Sequence, residues 1–389
     1  MITYESDLHQ ARIKVFGIGG GGGNTVNCLA RKKVRGVNMY LLNTDKQALS
    51  VSQVPNKIGL GQSLTKGLGA GANPQIGREA ALESEGVIKN MMQGSDLLFL
   101  AVGMGGGTGT GASPEVARIA REEGILTVAV VTLPFSFEGK RRMATALEGL
   151  ERLKEYVDTS IIIENQKIMP LICKSSTMGE SFEIVDNVLC RAVMAITDLI
   201  TKPGLINLDF ADLRSVLKEG GSAFMVTGAA SGRERAKKAA ALAIQSPLMM
   251  RNSLEGARRI IINISGNSEM TLEEVDEAAS LVHKKADEEC HIIVGAVIDE
   301  YLGDEIRVTV IATEFNDELE EAHHPIGISH GGSLKASLYT ETILSQKLPS
   351  TVKTLYESST GKKFVAQESN LDCPAYLRKK REMMDKSQY

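Results

Sequence analysis

The sequence has little that indicates disulfides, a metal site or a nucleic-acid surface. Its 389 residues include only five cysteines, and no Cys-x-x-Cys pair occurs among Cys28, Cys173, Cys190, Cys290 and Cys373. Scattered cysteines of this kind favour reduced thiols over disulfides or a zinc site. The formal net charge is −4, so no excess of positive charge indicates nucleic acid as a direct partner.

Long apolar runs are missing as well. No run approaches the eighteen or so residues of a membrane span, so we expect no transmembrane segment. The first ten residues, MITYESDLHQ, carry acids and lack the apolar core of a secretory signal. These absences predict a cytoplasmic protein. The length and an apolar content of 43% suffice for two or more domains with real cores.

The most informative feature that is present is the glycine run Gly105–Gly111 (GGGTGTG). Six apolar residues precede it and predict a strand over 97–102. After it, Ser113 is a good N-cap and Pro114 suits the first position of a helix over 114–123. A strand, a glycine turn and a helix start form an anion site. The alternative is a glycine-rich hairpin or flexible linker, which the buried strand and the capped helix disfavour.

Two further glycine clusters lie in the same half of the chain. Gly17–Gly23 follows a predicted strand, precedes a helix opening at Asn24, and contains the spacing of a dinucleotide-binding turn, with Asp45 further on. The third cluster is Gly67–Pro74. Three such loops predict a di- or triphosphate held by backbone amides, because no Gly-Lys-Ser/Thr of a Walker P-loop follows any of them. An NAD-dependent oxidoreductase stays an alternative, although no proton-transfer histidine is evident.

The alternation of apolar runs with helix-like segments predicts an α/β fold. Residues 11–178 read as a Rossmann-like, parallel-sheet nucleotide-binding domain, and 179–203 as a long connecting helix that ends at Pro203. A second, smaller α/β domain is expected over 204–315. The pattern dissolves after that, which predicts a flexible C-terminal tail made of a linker, 316–370, and a short partner-binding peptide, 371–389.

Within the first domain we expect strands over 13–18, 39–43, 97–102, 126–132 and 160–163. The expected helices cover 24–33, 74–93, 114–123 and 139–156. In the second domain the expected strands are 223–228, 259–264, 291–297 and 306–312. The expected helices there are 210–219, 233–245 and 272–289.

Six motifs in order give the chain its resemblance to a known family. They are Gly19–Asn24, Asn43–Asp45, Gly67–Pro74, Gly105–Gly111, Pro134–Arg142 and Asn207–Asp212. On these residues the chain resembles the tubulin/FtsZ family of GTPases over about 11–315, and again at the terminal peptide. The resemblance implies a GTP-hydrolysing protein that polymerises head to tail and forms the division ring at mid-cell. A tubulin-like filament for plasmid partition or cell shape is the alternative role.

The resemblance also implies the residues that contact the nucleotide. Those expected around the phosphates are Gly20, Gly21, Gly22, Gly23, Asn24, Gly106, Gly107, Thr108 and Gly109, with Ala70, Gly71, Ala72 and Asn73 sensing the γ-phosphate. Those expected near the ribose and the remaining phosphate region are Pro134, Glu138, Arg142 and Asn165. Glu164 departs from the family pattern, because many members have proline there. The implied ligands are GTP and GDP, with Mg²⁺ held mainly through the phosphates.

Phe182 and Asp186 are four residues apart on the predicted long helix, and therefore on one face. By the resemblance, Phe182 stacks on the base and Asp186 accepts hydrogen bonds from N1–H and the 2-amino group of guanine. Adenine would leave this carboxylate poorly paired, which would cost about 1–3 kcal/mol or more of binding free energy. The pattern therefore predicts GTP over ATP. The alternative is an ordinary helix face with a core phenylalanine and a solvated aspartate.

Asn207, Asp209 and Asp212 precede or begin the first helix of the second domain. From the residues alone, helix capping and catalysis are equally good explanations, because acids favour helix N-termini. The resemblance implies that this loop completes the active site of the next subunit. It also implies that the peptide Leu371–Arg381 binds membrane-tethering and regulatory division proteins, with Cys373 where a branched aliphatic is usual.

Overall fold

A computed structural model of the chain describes residues 11–172, 175–202, 204–206, 209–246, 248 and 254–315. The predicted linker and terminal peptide lie outside these residues, as do Pro203 and Asn207.

Eleven strands form one sheet in the described part of the chain, in the order β3-β2-β1-β4-β5-β6-β8-β11-β9-β10-β7. The strands are β1 (Ile13–Ile18), β2 (Val37–Asn43), β3 (Asn56–Gly59), β4 (Leu97–Gly103), β5 (Leu126–Leu133), β6 (Thr159–Glu164), β7 (Gly204–Ile206), β8 (Gly221–Ser231), β9 (Ala257–Gly266), β10 (His291–Ile298) and β11 (Glu305–Phe315). Strands β1 to β6 are all parallel, so their carboxyl ends lie at one edge of the sheet.

Helices connect these strands throughout. They are α1 (Gly19–Arg31), α2 (Lys46–Val51), α3 (Gln62–Thr65), α4 (Pro74–Glu83), α5 (Glu85–Met92), α6 (Thr108–Glu122), α7 (Lys140–Lys154), α8 (Asn165–Ile168), α9 (Met178–Thr201), α10 (Phe210–Leu217), α11 (Arg235–Ile244) and α12 (Leu272–His283). None of the helices in the described part of the chain is both long enough and apolar enough to span a bilayer.

The parallel half of the sheet is buried on both faces. Every residue of β1 and β5 is buried, which is why their sequences are continuous apolar runs rather than alternating patterns. On one face, side chains such as Phe16 and Leu100 join a core with helices α4 to α7. On the other face lie α1 and α9, which also contact each other. Helices on both faces of a parallel sheet confirm the predicted α/β class.

The second half of the sheet is mixed. β8 continues the parallel sheet through β6 and then pairs antiparallel with β11, which in turn pairs antiparallel with β9. A separate core lies here, built from residues such as Phe224, Ile262 and Val310 with α11 and α12. β7, a three-residue strand at the far edge, was not predicted, because so short a segment carries no periodic pattern.

Helix α9 crosses from one edge of the parallel sheet to the other. A capping box between Thr177 and Glu180 starts it, and its 24 residues span about 36 Å. At its far end Thr201 contacts Gly36, just before the amino end of β2, where an added Cβ would lie 2.6 Å from Thr201 Cγ2. The long helix expected over 179–203 is present and runs from Met178 to Thr201.

Two helix starts were predicted wrongly. α6 begins at Thr108 rather than Pro114, so Ser113 is not an N-cap; it is fully buried, and Pro114 lies inside the helix. α1 begins at Gly19 rather than Asn24. In both cases the glycine-rich loop itself forms the first helical turn. In α6, Gly111 N donates a 3.0 Å hydrogen bond to Gly107 O. Glycine's poor helix propensity concealed these turns, which packing on the sheet stabilises.

Candidate nucleotide site

The predicted phosphate loops lie together at the carboxyl edge of β1 to β6. Gly19 to Asn24 follow β1, Asn43 to Asp45 end β2, and Gly105 to Gly109 follow β4. Pro134 to Arg142 follow β5, and Asn165 follows β6. In open parallel sheets, ligands bind in the crevice outside this edge.

Backbone packs directly on backbone where the glycine loops meet. A Cβ added at Gly107 would lie 2.8 Å from Asn73 N, and one at Gly19 would lie 2.8 Å from Gly109 N. A Cβ at Gly21 would lie 3.1 Å from Gly103 Cα. Residues with side chains cannot approach this closely. The glycines therefore allow three loops to share one small volume, with the N-termini of α1 and α6 beside each other.

The third glycine loop is open to solvent. Gly71, Ala72 and Asn73 are exposed, whereas Ala70 is buried. Gly71 and Ala72 both have left-handed φ angles, 57° and 58°. Such a conformation is uncommon for alanine and occurs preferentially at ligand-binding positions. Asn73 caps α4, where its side chain accepts a 3.0 Å hydrogen bond from Gln75 N.

Thr44 is a residue of this region to which sequence reasoning assigned no role. It is buried, and its hydroxyl lies 2.6 Å from the Thr108 hydroxyl at the start of α6. Its carbonyl also accepts a 3.2 Å bond from Gly69 N. Thr44 therefore joins the second strand to two glycine loops. The motif Asn43–Asp45 was the available signal, but the sequence did not show what Thr44 contacts.

Glu138 and Arg142 form an ion pair at the next loop, with Arg142 Nε 3.1 Å from Glu138 Oε2. The other carboxylate oxygen, Glu138 Oε1, accepts a 2.8 Å bond from Phe135 N. Arg142 is half-exposed and also lies against Gly105. Pro134 is buried at the end of β5. Arg142, and Glu138 paired with it, therefore lie beside the glycine loop that follows β4, and Pro134 lies at the same edge of the sheet.

Asn165 is buried at the carboxyl end of β6, and in the described part of the chain its Oδ1 has no hydrogen-bond partner. A buried acceptor left unsatisfied costs free energy, which a donor from a ligand would recover. The adjacent Gln166 accepts bonds from Ser136 N and Oγ at 3.1 and 2.8 Å, so it ties this position to the β5 loop.

Phe182 and Asp186 lie on the face of α9 that meets α1. Phe182 is half-buried and packs edge-on against Phe135, with 5.7 Å between ring centroids. Burial raises the pKa of the Asp186 carboxyl to about 7, and a hydrogen bond with the Asn24 side chain opposes only part of that shift. Asp186 is therefore a partly desolvated carboxyl beside a predicted phosphate loop, and not the solvated aspartate of the alternative interpretation.

Asp209 and Asp212 begin α10, a helix about 12 Å long whose other end lies at the opposite edge of the parallel sheet. At the end of their helix, α10, Leu217 O accepts a bond from Thr159 Oγ1, at the amino end of β6. Asp209 is the N-cap of α10, and its Oδ1 accepts a 2.8 Å bond from Asp212 N. Strands of seven or eight residues separate the two edges by about 25 Å. One copy of the chain therefore does not bring these acids to its own glycine loops.

Comparison with known proteins supports the resemblance over both halves of the sheet. The family model described as "Tubulin/FtsZ family, GTPase domain" matches residues 12–173, and "FtsZ family, C-terminal domain" matches 221–316. A "Cell division protein FtsZ" of Buchnera aphidicola is 42% identical over 388 residues, which cover 96% of this chain and 97% of the relative. The chain belongs to the FtsZ family.

Further FtsZ relatives agree with this assignment. An FtsZ of Aquifex aeolicus is 46% identical over 314 residues, covering 81% of this chain and 86% of the relative. The solved structure "FtsZ dimer, empty (M. jannaschii)" superimposes with a TM-score of 0.76 at 44% identity, covering 79% of this chain and 89% of that one. These matches confirm the predicted family, fold class and GTPase activity. They do not favour an NAD-dependent oxidoreductase or a partition filament.

Proposed function

We propose that this chain is a GTPase that polymerises head to tail into the filaments of the cell-division ring, with hydrolysis at the junction between subunits. Membership of the FtsZ family supports GTP hydrolysis and a role in cell division. The relative solved as a dimer supports self-association. The observation that carries the junctional site is the separation of Asp209 and Asp212 from the glycine loops of the same copy.

The proposed binding mode uses backbone amides. The N-termini of α1 and α6 lie beside each other, and both carry partial positive charge suited to phosphate. We assign the α- and β-phosphates to Gly20–Asn24 and Gly106–Gly109, and the γ-phosphate to Ala70–Asn73. Glu138, Arg142 and Pro134 are assigned to the ribose and phosphate region, and the unsatisfied Asn165 Oδ1 supports a contact with the nucleoside.

Magnesium is proposed to enter with the nucleotide. No group of three or more histidine, cysteine or acidic side chains suited to a metal occurs in the residues that the structure describes. Asp45, the acid nearest Thr44, already accepts bonds from Gln47 N and Ala48 N. With so few protein ligands available, the site fits an ion that keeps most of its water ligands and is held mainly by phosphate oxygens, as Mg²⁺ commonly is. When bound, it would neutralise charge on the phosphates.

Guanine selectivity is assigned to Phe182 and Asp186. The half-buried ring of Phe182 supplies a stacking surface, and the Asp186 carboxylate supplies two acceptors for the donor edge of guanine. Because Asp186 is partly desolvated, an unpaired carboxylate there is costly. Adenine, which has no donors at N1 and C2, is therefore excluded more strongly than it would be at a solvated aspartate.

In the proposed reaction, Asp209 and Asp212 of one copy position and polarise a water against the γ-phosphate held by the next copy. Amides of the glycine loops stabilise the charge that develops on the phosphoryl oxygens. Loss of the γ-phosphate after hydrolysis then removes its contacts with Gly71 and neighbouring residues, which weakens the junction between subunits. Asn207 is assigned to the same loop on family resemblance alone, since it lies outside the described residues.

Cellular placement completes the proposal. We place the filaments in the cytoplasm at mid-cell, tethered to the membrane by division proteins that bind Leu371–Arg381. The peptide lies outside the described residues, and its assignment rests on the family resemblance. Removing residues 371–389 is expected to leave assembly of the purified protein unchanged and to abolish recruitment to the division site, as seen by imaging a tagged copy.

Turnover measured across a dilution series tests the junctional site. We expect phosphate release per molecule to vanish below a threshold protein concentration, because isolated copies lack water-positioning acids. Light scattering on the same samples should show assembly appearing at the same threshold. A rate per molecule that stays constant at concentrations where sedimentation finds only monomers would exclude a shared active site.

The raised pKa of Asp186 predicts a pH dependence of binding. As the pH falls through about 7 the carboxyl becomes protonated and loses one acceptor, so affinity for GDP should fall. Between pH 8 and pH 6 we expect a loss of about tenfold, since only about a tenth of the carboxyl is ionised one unit below its pKa. Titrations of GDP at pH 6, 7 and 8 measure this.

The matched variant is Asp186→Asn, which keeps the size of the side chain and cannot ionise. We expect it to bind GDP weakly at every pH, without the tenfold change. A pH profile in Asp186→Asn equal to that of the unmodified chain would assign the titration to another group and remove Asp186 from base recognition.

A further inference from the structure

Two threonine hydroxyls meet where β2 ends beside the start of α6. Thr44 Oγ1 lies 2.6 Å from Thr108 Oγ1, and either atom could donate the hydrogen bond. Thr44 is 1% exposed, whereas Thr108 is only partly buried. The proposed function assigns Thr108 to the phosphates and gives Thr44 no task. The direction of this one bond decides what the Thr108 hydroxyl can offer to a ligand.

The burial of Thr44 decides the direction of the bond. A hydroxyl has one hydrogen, and in the described part of the chain neither hydroxyl has a second hydrogen-bond partner. If Thr108 donated, the Thr44 hydrogen would be buried without an acceptor, which is costly and rarer than an acceptor with a free lone pair. If Thr44 donates, the hydrogen left over belongs to the partly exposed Thr108. Thr44 is therefore the donor, and Thr108 keeps its hydrogen for a ligand.

Bonds to its backbone hold Thr44 in this position. The Thr44 carbonyl accepts a 3.2 Å bond from Gly69 N and a 3.3 Å bond from Thr65 Oγ1. The preceding residue, Asn43, ends β2, which is paired with both β1 and β3. The branched side chain of a threonine also has few rotamers. The Thr44 hydroxyl is therefore held at Thr108 by the sheet on one side and by the γ-phosphate loop on the other.

We propose that Thr44 is a positioning residue for the nucleotide: its buried hydroxyl donates to Thr108 and thereby aims the Thr108 hydrogen at a phosphate oxygen of GDP or GTP. This rests on the proposed function, which assigns Thr108 to the phosphates. Because its oxygen accepts a bond from Thr44, the Thr108 hydroxyl cannot turn its hydrogen that way, and the accepted bond also strengthens its donation. A phosphate oxygen is a charged acceptor, so the bond that Thr108 donates belongs to the stronger class.

The phosphates assigned to Thr108 determine which nucleotides respond. These are the α- and β-phosphates, which GDP and GTP share, so losing the Thr44 hydroxyl should weaken the binding of both to the same extent. The Thr44 carbonyl, which holds the γ-phosphate loop through Gly69, is unchanged when valine replaces Thr44. A larger loss for a non-hydrolysable GTP analogue than for GDP would place the damage in the γ-phosphate loop and would overturn the proposal.

Variants that keep the shape of the side chain test the role of the Thr44 hydroxyl. In calorimetric titrations of the full-length chain, Thr44→Val should bind GDP about fivefold more weakly, the effect of one ordinary hydrogen bond. Thr44→Ser restores the donor and should stay within about twofold of the unmodified chain. Thr309→Val is the matched control, because it breaks a similar pair, Thr227 and Thr309 at 3.2 Å between β8 and β11, and should leave GDP affinity unchanged. GDP binding by Thr44→Val as tight as that of the unmodified chain would overturn the proposal.

A double-mutant cycle shows whether Thr44 acts through Thr108. Thr108→Val should weaken GDP binding by about 20-fold, because it removes a bond to a charged acceptor. Adding Thr44→Val to this variant should cause no further loss, since the Thr108 hydroxyl that it orients is already gone. A loss from Thr44→Val that is the same with and without the Thr108 hydroxyl would show general damage to the site and would overturn the proposal.

Unfolding of the nucleotide-free chain separates a failure of this proposal from a failure of the proposed function. The changes in denaturant midpoint caused by Thr44→Val and Thr108→Val should be smaller together than their sum, because both variants break the same hydrogen bond. Additive changes would exclude that bond and overturn the proposal. Coupled unfolding with normal GDP binding by Thr108→Val would instead contradict the assignment of Thr108 to the phosphates, and with it the use of the bond proposed here.

Discussion

Replacing Asp212 with alanine is expected to lower GTP turnover by at least about 100-fold while GDP affinity stays within about twofold. Asp212 is exposed, and its carboxylate has no hydrogen-bond or ion-pair partner within the described part of the chain. The backbone bond from Asp212 N to Asp209 Oδ1 survives the change, so stability should be nearly unaltered. Phosphate release, GDP titration and thermal unfolding on the same preparation separate these effects.

Mixing two inactive variants tests directly whether Asp212 acts across the junction between subunits. Asp212→Ala keeps the proposed nucleotide pocket, whereas Asp186→Ala keeps the proposed catalytic acids and loses the base contact. We expect each variant alone to be nearly inactive and an equimolar mixture to recover turnover, because one type of junction then has an intact pocket and intact acids. No recovery in a mixture that sediments as joint filaments would contradict catalysis across the junction.

Asp209 requires a different substitution. Because it caps α10, alanine there would remove about 1 kcal/mol of stabilisation together with the carboxylate. Serine preserves an N-cap hydroxyl and removes the charge. We therefore expect Asp209→Ser to lose turnover with an almost unchanged unfolding midpoint. If the variant kept normal turnover, the role of Asp209 would be helix capping alone. The sequence by itself supports capping and catalysis equally well.

The second large effect is expected at Gly22. A Cβ there would lie 2.0 Å from Ala101 O and 3.0 Å from Ala101 C, on the backbone of β4. β4 is paired on both sides, with β1 and β5, and cannot shift without breaking the sheet. The added methyl group must therefore push α1 and its glycine turn outward. We expect Gly22→Ala to lower the free energy of unfolding by roughly 3 kcal/mol and to lower GDP affinity by more than tenfold. Denaturant unfolding and GDP titration measure the two losses.

Gly86→Ala is the matched control for Gly22→Ala. Gly86 is exposed in α5, and nothing lies within 4 Å of the position that a Cβ would take. Here the same chemical change should raise the free energy of unfolding by about 0.5–1 kcal/mol, because alanine is the better helix former. A Gly22→Ala protein as stable as Gly86→Ala would mean that α1 does not rest on β4 as described.

The strands of the parallel half could be predicted from sequence almost to the residue. Residues 13–18 form β1 as expected, and β4 and β5 extend only one residue further than predicted. Strands buried on both faces appear in the sequence as uninterrupted apolar runs, which are easy to recognise. The short strands β3 and β7 were missed, because four or three residues carry too little pattern.

The starts of α1 and α6 could not be predicted in the same way. Glycine and proline disfavour helix in isolation, so Gly19–Gly23 and Gly107–Pro114 appeared to lie before or at a helix start. In the folded chain these segments pack against β1, β4 and each other at distances that only glycine allows. Tertiary packing therefore overrides local propensity at the site where backbone amides must be presented.

The sequence by itself determined the family, the parallel sheet and the glycine loops, because each depends on residues that are close together along the chain. Only the tertiary structure decided that α10, at whose start Asp209 and Asp212 lie, ends at the edge opposite those loops, and that Asp186 is desolvated against α1. Burial, charge and separation in space depend on residues that are more than a hundred positions apart, and no local pattern records them.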